Sequence, residues 1–401
     1  MTQIENKAQG GAALPYVRSS EDNAGAHRLA HAMDVEHISA FATGERVLDV
    51  NVGVGRLALP LLRQGKQVTG IDASSAVLEE CRRNAAGAPI TLLVGDMHRV
   101  PLPDSSFDTV IAHRTLVAGT DWQAALAHWG QKLVDGGRLL VDVDSLDHRH
   151  AALAPGLADK AFADGDEARL CLAVDDIVAF ADRAGFTVRA VVPTRSFLCG
   201  DNLNLLLAPR LDGIKRWQRL LSWLAVDDSL FELACHLERS LFAKLTSRLS
   251  RSMLLVLEKA SNPAANREWL ARNAALNRLL AEQSVSIASL APFLGDAAAT
   301  FPARIEPLLV SLRNRAFLYR LVQPLILHER FDLAGLLPPA VLAEMRDWAE
   351  RDAMDERVNR LSETWANGVD ANLRDLAPAL NYPLVRALIA DQLKSKPGVK
   401  A

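Results

Sequence analysis

Between residues 46 and 145 the chain alternates short, continuous apolar runs with stretches of helical periodicity, and this rhythm restricts its fold more than any other feature. The runs RVLDV, QVTGID, ITLLVGD, FDTVIA and GRLLVDV are mainly apolar at consecutive positions, as expected of strands covered on both faces. Strands of that kind, separated by helices, predict repeated β-α-β units and a parallel sheet. A further pair, FTVRAVVPT and MLLVLEKA, extends the sheet on either side of a Leu- and Trp-rich helical stretch. That stretch reads as an insert over about residues 196–250.

The texture changes after Lys259. Residues 261–401 hold four of the 23 glycines, and Leu, Ala and Arg dominate. Segments such as NREWLARNAALNRLLAEQ, PARIEPLLVSLRNRAFLYRLV, PPAVLAEMRDWAERD, DERVNRLSETWAN and PLVRALIADQLKS repeat apolar residues at helical spacing, several opening on Pro, Asp or Asn. The division expected is an α/β domain over 1–260 with its helical insert, followed by an all-α accessory domain over 261–401. A length of 401 residues suits at least two domains.

Composition excludes several function classes. A net charge of −3 provides no field for gathering nucleic acid. The four cysteines are scattered without a C-x-x-C pair, which argues against a zinc site or disulfide frame and suits a reducing cytosol. No apolar run is long enough to span a bilayer, and the polar start lacks a signal-peptide core, so a cytoplasmic protein is expected.

The chemistry is concentrated in LDVNVGVGRLAL. A strand ends near Asp49 and a helix begins near Arg56, leaving a turn whose glycines, Gly53 and Gly55, allow close backbone approach to a ligand. Asp72 closes the next strand, 23 residues after Asp49, where a carboxylate can accept hydrogen bonds from ribose hydroxyls. Asp96 closes the strand after that. Three acids at the carboxyl ends of successive strands mark one edge of the sheet, the edge at which open α/β sheets bind ligands.

In these residues the chain resembles the class I S-adenosylmethionine-dependent methyltransferases. Asp49, the turn through Asn51, Gly53 and Gly55, then Asp72, Asp96, the FD pair at Asp108 and the Gly136-Gly137 turn follow that family's signature in order and spacing. The resemblance covers roughly residues 25–193 and 252–259, and nothing beyond 260. It implies a Rossmann-like, mostly parallel seven-stranded sheet and S-adenosyl-L-methionine as cofactor. It further implies that Gly53 and Gly55 pass along the methionine part, that Asp72 holds the ribose hydroxyls, that Asp96 and Met97 face the adenine, and that His113 lies near the methionine end, with Asp49, Asn51 and Ala73 also among the cofactor-binding residues. Plainer roles stand beside these: a strand-end acid caps a helix, and Met97 fills core.

Asn51 departs from the family pattern, which has glycine there. Asparagine is the side chain that best tolerates positive φ, so the turn can still form. Its amide either bonds to the cofactor or crowds it. A rival cofactor is suggested by Gly53, Gly55 and Ala58, which with Asp72 outline a dinucleotide fingerprint. That alternative leaves Asp49, Asp96 and the Gly-Gly turn without roles.

Methyl transfer rests chiefly on holding nucleophile and methyl in line and needs no metal; a base matters only for an acceptor that still carries its proton. The expected base candidates are His113 and, in DVDSLDHRH, His148. Asp144, Asp147 and His150 lie in the same stretch, which has a solvated loop as its plain alternative. His27 and His31, four apart, read as an ordinary helix face and not as metal ligands. Tyr16 and Arg18 precede that helix as lid candidates, and the insert has Trp217, Trp223, Phe231 and Phe242 at helical spacing as a cover or as core. The expected activity is methylation of O or N on a small or carrier-linked metabolite. A non-catalytic binding module is the alternative, with the helical domain mediating dimerisation or contact with a protein partner.

Overall fold

Apolar side chains along the central strands point alternately to two faces, and both faces are covered. A computed structural model describes residues 24–363, apart from 100, 118, 148–169, 195–222, 245–249, 251, 282–284, 328–330 and 333–336. Helix α1 (Ala24–Phe41) leads into β1 (Arg46–Val50), α2 (Ala58–Arg63), β2 (Gln67–Asp72), α3 (Ser75–Asn84), β3 (Thr91–Val94), β4 (Phe107–Ala112), α4 (Trp122–Lys132) and β5 (Leu133–Ser145). Next come β6 (Cys171–Leu172), α5 (Val174–Ala184), β7 (Thr187–Thr194), α6 (Asp228–Ser240) and β8 (Ser252–Glu258).

Seven strands lie in the order β3-β2-β1-β4-β5-β8-β7, and the short β6 pairs with the end of β5. Strands β1 to β5 run parallel, while β8 is antiparallel to both of its neighbours. The expected mostly parallel seven-stranded sheet is therefore present. Leu48, Val110, Leu139, Val141, Leu255 and Leu257 pack toward α4 and α5, whereas Val47, Ile111, Leu140, Leu254 and Val256 pack toward α1, α2 and α3. This is the period of two that a pleated strand imposes, here with apolar residues in both phases. Side-chain caps fix where the helices start: Ser74 accepts from Val77 N–H and Asp121 from Ala124 N–H.

Beyond the sheet lie α7 (Pro263–Ala281), β9 (Val285–Ser286), α8 (Ile287–Leu294), α9 (Asp296–Ile305), α10 (Leu312–Leu327), β10 (Phe331–Asp332) and α11 (Pro339–Glu363). The helical texture expected after 260 is present, with two corrections to the element boundaries. PARIEPLLVSLRNRAFLYRLV is not one helix: α9 gives way to a 3-10 turn over Glu306–Leu309 before α10 begins. Pro307 has no amide hydrogen to donate to the carbonyl four residues back, so an α-helical bond is missing there. Conversely, PPAVLAEMRDWAERD and DERVNRLSETWAN, read as two helices, are joined in α11 through Glu363. PLVRALIADQLKS lies outside the described residues. No helix among those described is long and apolar enough to cross a membrane.

The insert and the later helices share a core. Leu29 and Met33 of α1, Leu230, Leu233 and Leu237 of α6, Leu290 and Leu294 of α8, Phe301 and Ile305 of α9, Phe317 of α10 and Met345 of α11 form one apolar cluster. Trp269 and Leu270 of α7 pack on the sheet's α4/α5 face instead.

Candidate active site

The turn after β1 is built from left-handed backbone. Asn51 has φ +68°, Gly53 +58° and Gly55 +87°. The expectation that asparagine substitutes for glycine by accepting positive φ therefore holds at Asn51. The two glycines serve different ends. A Cβ at Gly55 would lie 2.8 Å from Leu59 Cγ and 2.9 Å from Cys81 Sγ, so Gly55 lets α2 and α3 close behind the turn. A Cβ at Gly53 would meet only the Asn51 carbonyl at 4.0 Å, so the space beside Gly53 stays open to a ligand.

Asp72 holds this turn. Its Oδ2 accepts the Gly53 N–H at 3.1 Å and its Oδ1 accepts the Ser74 N–H at 2.9 Å. Each carboxylate oxygen has two acceptor sites, so both can take a further donor. Asp49, deep in β1, is pushed up to about 7 by burial, with Arg56 opposing and Asp72 adding to the rise. Ala73 is exposed and lies between Asp72 and the Ser74 cap. Asp96 follows β3, its Oδ1 accepting the His98 N–H at 2.8 Å. Met97 packs partly on the sheet core, and its carbonyl accepts the Trp129 indole N–H at 2.8 Å. Three neighbouring strands, β1, β2 and β3, thus bring Asp49, Asp72 and the 96–97 turn to one edge.

His113 lies just past β4, buried, and is drawn into a polar cluster that the sequence did not disclose. Its Nδ1 is 2.9 Å from an Arg56 terminal nitrogen, while its Nε2 is 3.4 Å from Asp34 Oδ2 and 3.7 Å from Asp142 Oδ2. Arg56 also donates to Asp34 Oδ2 at 2.8 Å, tying α1 to the turn. Burial pushes His113 below the ordinary histidine value, against the pull of Asp142 and Asp34. Arg56 directly follows the last glycine of the turn, which was the one sequence signal for it. Asp34 and Asp142 gave none, since an isolated acid usually marks a solvated surface.

The remaining candidates scatter. Asp144 accepts from Ser252 Oγ at 2.9 Å across the β5/β8 pair, and Asp147 accepts the Val174 N–H at 3.3 Å. Those are structural contacts. His148, His150, Tyr16, Arg18 and Trp217 lie outside the described residues. Asp108 of the FD pair accepts the Glu45 and Arg46 amides at 3.0 and 2.8 Å and the Arg46 guanidinium at 2.7 Å. Its carboxyl is held at about 2, chiefly by the bond from Arg46, so it latches the entrance of β1. Among the described residues no group of His, Cys, Asp and Glu could hold a metal, and His31 instead faces Arg56.

Residues 47–137 match a family model described as a methyltransferase domain. Over this stretch the chain is similar to methyltransferase domains. The chain is 36% identical over 108 residues to aklanonic acid methyltransferase DauC of Streptomyces sp. (strain C5), a match covering 25% of this chain and 49% of that protein. It is 32% identical over 97 residues to malonyl-[acyl-carrier protein] O-methyltransferase of Serratia marcescens, covering 24% and 37%. Among solved structures, magnesium protoporphyrin IX methyltransferase from Synechocystis PCC 6803 with bound SAH aligns over 60% of this chain and 86% of that one, at 18% identity and a TM-score of 0.37. The chain spans about half the length of the first curated relatives it matches. All of these likenesses leave the acceptor open.

Proposed function

We propose that this protein transfers a methyl group from S-adenosyl-L-methionine to an oxygen or nitrogen of a small or carrier-linked metabolite. The observation carrying this reading is the Asp72 carboxylate, held by the Gly53 and Ser74 amides beside a left-handed turn with open space at Gly53. A buried anion fixed by two backbone donors is oriented before any ligand arrives, and its remaining lone pairs suit a pair of vicinal hydroxyls. The donor set fits the cofactor: Asp72 and Ala73 hold the ribose, Asp96 and the Met97 side chain border the adenine, and the Asn51–Gly55 turn lies along the methionine part.

When bound, the cofactor supplies an electrophilic methyl on a cationic sulfur. The chain supplies placement. Holding methyl and acceptor in line removes much of the entropic barrier, up to roughly 7 to 11 kcal/mol in favourable cases. The names of two relatives, an aklanonic acid methyltransferase and a malonyl-[acyl-carrier protein] O-methyltransferase, support a small or carrier-linked acceptor.

Two measurements test this. Calorimetric titration should show saturable binding of S-adenosylmethionine, and of S-adenosylhomocysteine, by the full chain and not by Asp72→Ala. Incubation with cofactor and fractionated metabolite extract should release S-adenosylhomocysteine together with a product heavier by one methylene unit. A nicotinamide dinucleotide binding in place of the sulfonium nucleoside would overturn the assignment; tight cofactor binding without product across broad extracts would favour the binding-module alternative.

A further inference from the structure

The cluster around Arg56 decides which nitrogen of His113 bears its proton. A guanidinium has five N–H donors and no acceptor, so its 2.9 Å approach to Nδ1 needs the lone pair of that nitrogen. The single proton of the neutral imidazole is then on Nε2, where it faces Asp34 Oδ2 and Asp142 Oδ2 at 3.4 and 3.7 Å. Both nitrogens are engaged inside the protein. Neither offers a lone pair to an acceptor molecule while Arg56 stays in place.

We propose that Arg56, anchored by Asp34 of α1, is a positioning residue that fixes His113 as the Nε2–H tautomer, making His113 a hydrogen-bond donor in the site wall and not the base that deprotonates the acceptor. The part this plays in methyl transfer rests on the function proposed above; the tautomer does not. Asp34 shares its Oδ2 between Arg56 and His113, so it aligns both at once. Arg56 is one-quarter exposed, and Asp34 and His113 are each below one-tenth, so the arrangement is shielded from competing water. A base role for His113 would require Arg56 to leave Nδ1, placing a guanidinium without that partner beside a site from which water is largely excluded.

The charged and titratable groups facing the pair are His31 and Asp34 from α1, Asp142 from β5 and Asp49 from β1 behind Arg56. Protonating His113 would put a hydrogen on Nδ1, facing the guanidinium donor and repelling its charge. Acid therefore opposes this geometry, in line with the depressed protonation of the buried ring.

The test is nitrogen-15 NMR of the full chain labelled at histidine, with the His113 signals assigned by their loss in His113→Asn. The expected spectrum has a protonated Nε2 and a bare Nδ1, unchanged on saturation with S-adenosylhomocysteine. Arg56→Met should move the His113 titration upward and bring in the Nδ1–H or charged form, through loss of a neighbouring cation. Arg56→Lys, which keeps a donor, should restore the parent signals. A protonated Nδ1 in the parent, an Nδ1 freed by the nucleoside, or an unchanged tautomer in Arg56→Met would overturn the proposal. Should Arg56→Met fail to fold, the parent and Arg56→Lys spectra decide alone. Failure of the nucleoside to bind, with the tautomer intact, would count against methyl transfer and leave the positioning assignment standing.

Discussion

Asp72 Oδ2 accepts the Gly53 amide at 3.1 Å, so the acid that ends β2 braces the turn that follows β1. One carboxylate therefore shapes the turn and, in the function proposed, also holds the cofactor's hydroxyls. Asp72→Asn keeps an acceptor for Gly53 or Ser74 but loses the charge, whereas Asp72→Ala loses both. With hydrogen bonds to a charged group worth roughly 1.5 to 3 kcal/mol each, losing the hold on two hydroxyls weakens binding about a hundredfold or more. We expect Asp72→Ala to lower S-adenosylmethionine affinity by at least that factor and Asp72→Asn by less, as read by calorimetry. Equal affinities in all three proteins would remove Asp72 from the site.

At Asn51 the backbone is left-handed, with φ +68°. Glycine takes that conformation without strain but loses more freedom on folding, so the two effects oppose. Asn51→Gly should stay within about 1 kcal/mol of the parent in urea unfolding. Asn51→Ala should be destabilised by about 1 kcal/mol or more, since a Cβ without the amide meets the full penalty. Titrating both the parent and the glycine variant with S-adenosylmethionine separates the two roles of the amide. Tighter binding by the variant means crowding, and weaker binding means a lost contact.

Asp49 ties stability to pH. Its folded pKa is raised by burial from 3.8 to about 7, so the folded state holds a proton that the unfolded chain has released. This contribution to stability is fully present below pH 3.8 and is lost as pH rises through about 7. Asn at this position keeps the shape and never ionises. Asp49→Asn should therefore gain over the parent from pH 3.8 upward, reaching roughly 4 kcal/mol above pH 7. Urea melts at mildly acidic and mildly alkaline pH check this, and a gain independent of pH would refute it.

The sheet was legible because its strands are apolar in both phases, and only a strand covered on both sides tolerates that. The turn was legible because Asn51, Gly53 and Gly55 are types that accept positive φ, and Asp72 because it lies where a strand stops. The cluster at Arg56 was not. Asp34, Arg56, His113 and Asp142 are far apart in sequence, and although His113 was a candidate, nothing in the sequence linked it to the other three. Only the docking of α1 onto the sheet edge brings them together. The split at Pro307 had a visible cause, yet the apolar periodicity on either side masked it. Nothing in the sequence periodicity indicated that α1, α6 and the later helices share apolar partners, because periodicity gives a face and not its neighbour.

That shared cluster has a consequence for unfolding. Leu233 of α6 and Phe317 of α10 are fully buried in one core, Phe301 of α9 stacks on His236 of α6 with ring centres 4.8 Å apart, and Asn314 donates to Ser229 Oγ at 2.9 Å. Truncating Leu233 leaves a void that neighbours from the insert and from the later helices must both line. Leu233→Ala should lower stability by about 2 to 5 kcal/mol, and Phe301→Ala by about 3 to 5. Both should shift the same calorimetric transition, because the two residues contribute to one packed unit. A separate helical domain predicts the opposite pattern: Phe301→Ala would move one transition, and Leu233→Ala another. Deleting 261–401 should bare the apolar face of α6, giving a protein that aggregates or melts well below the full chain.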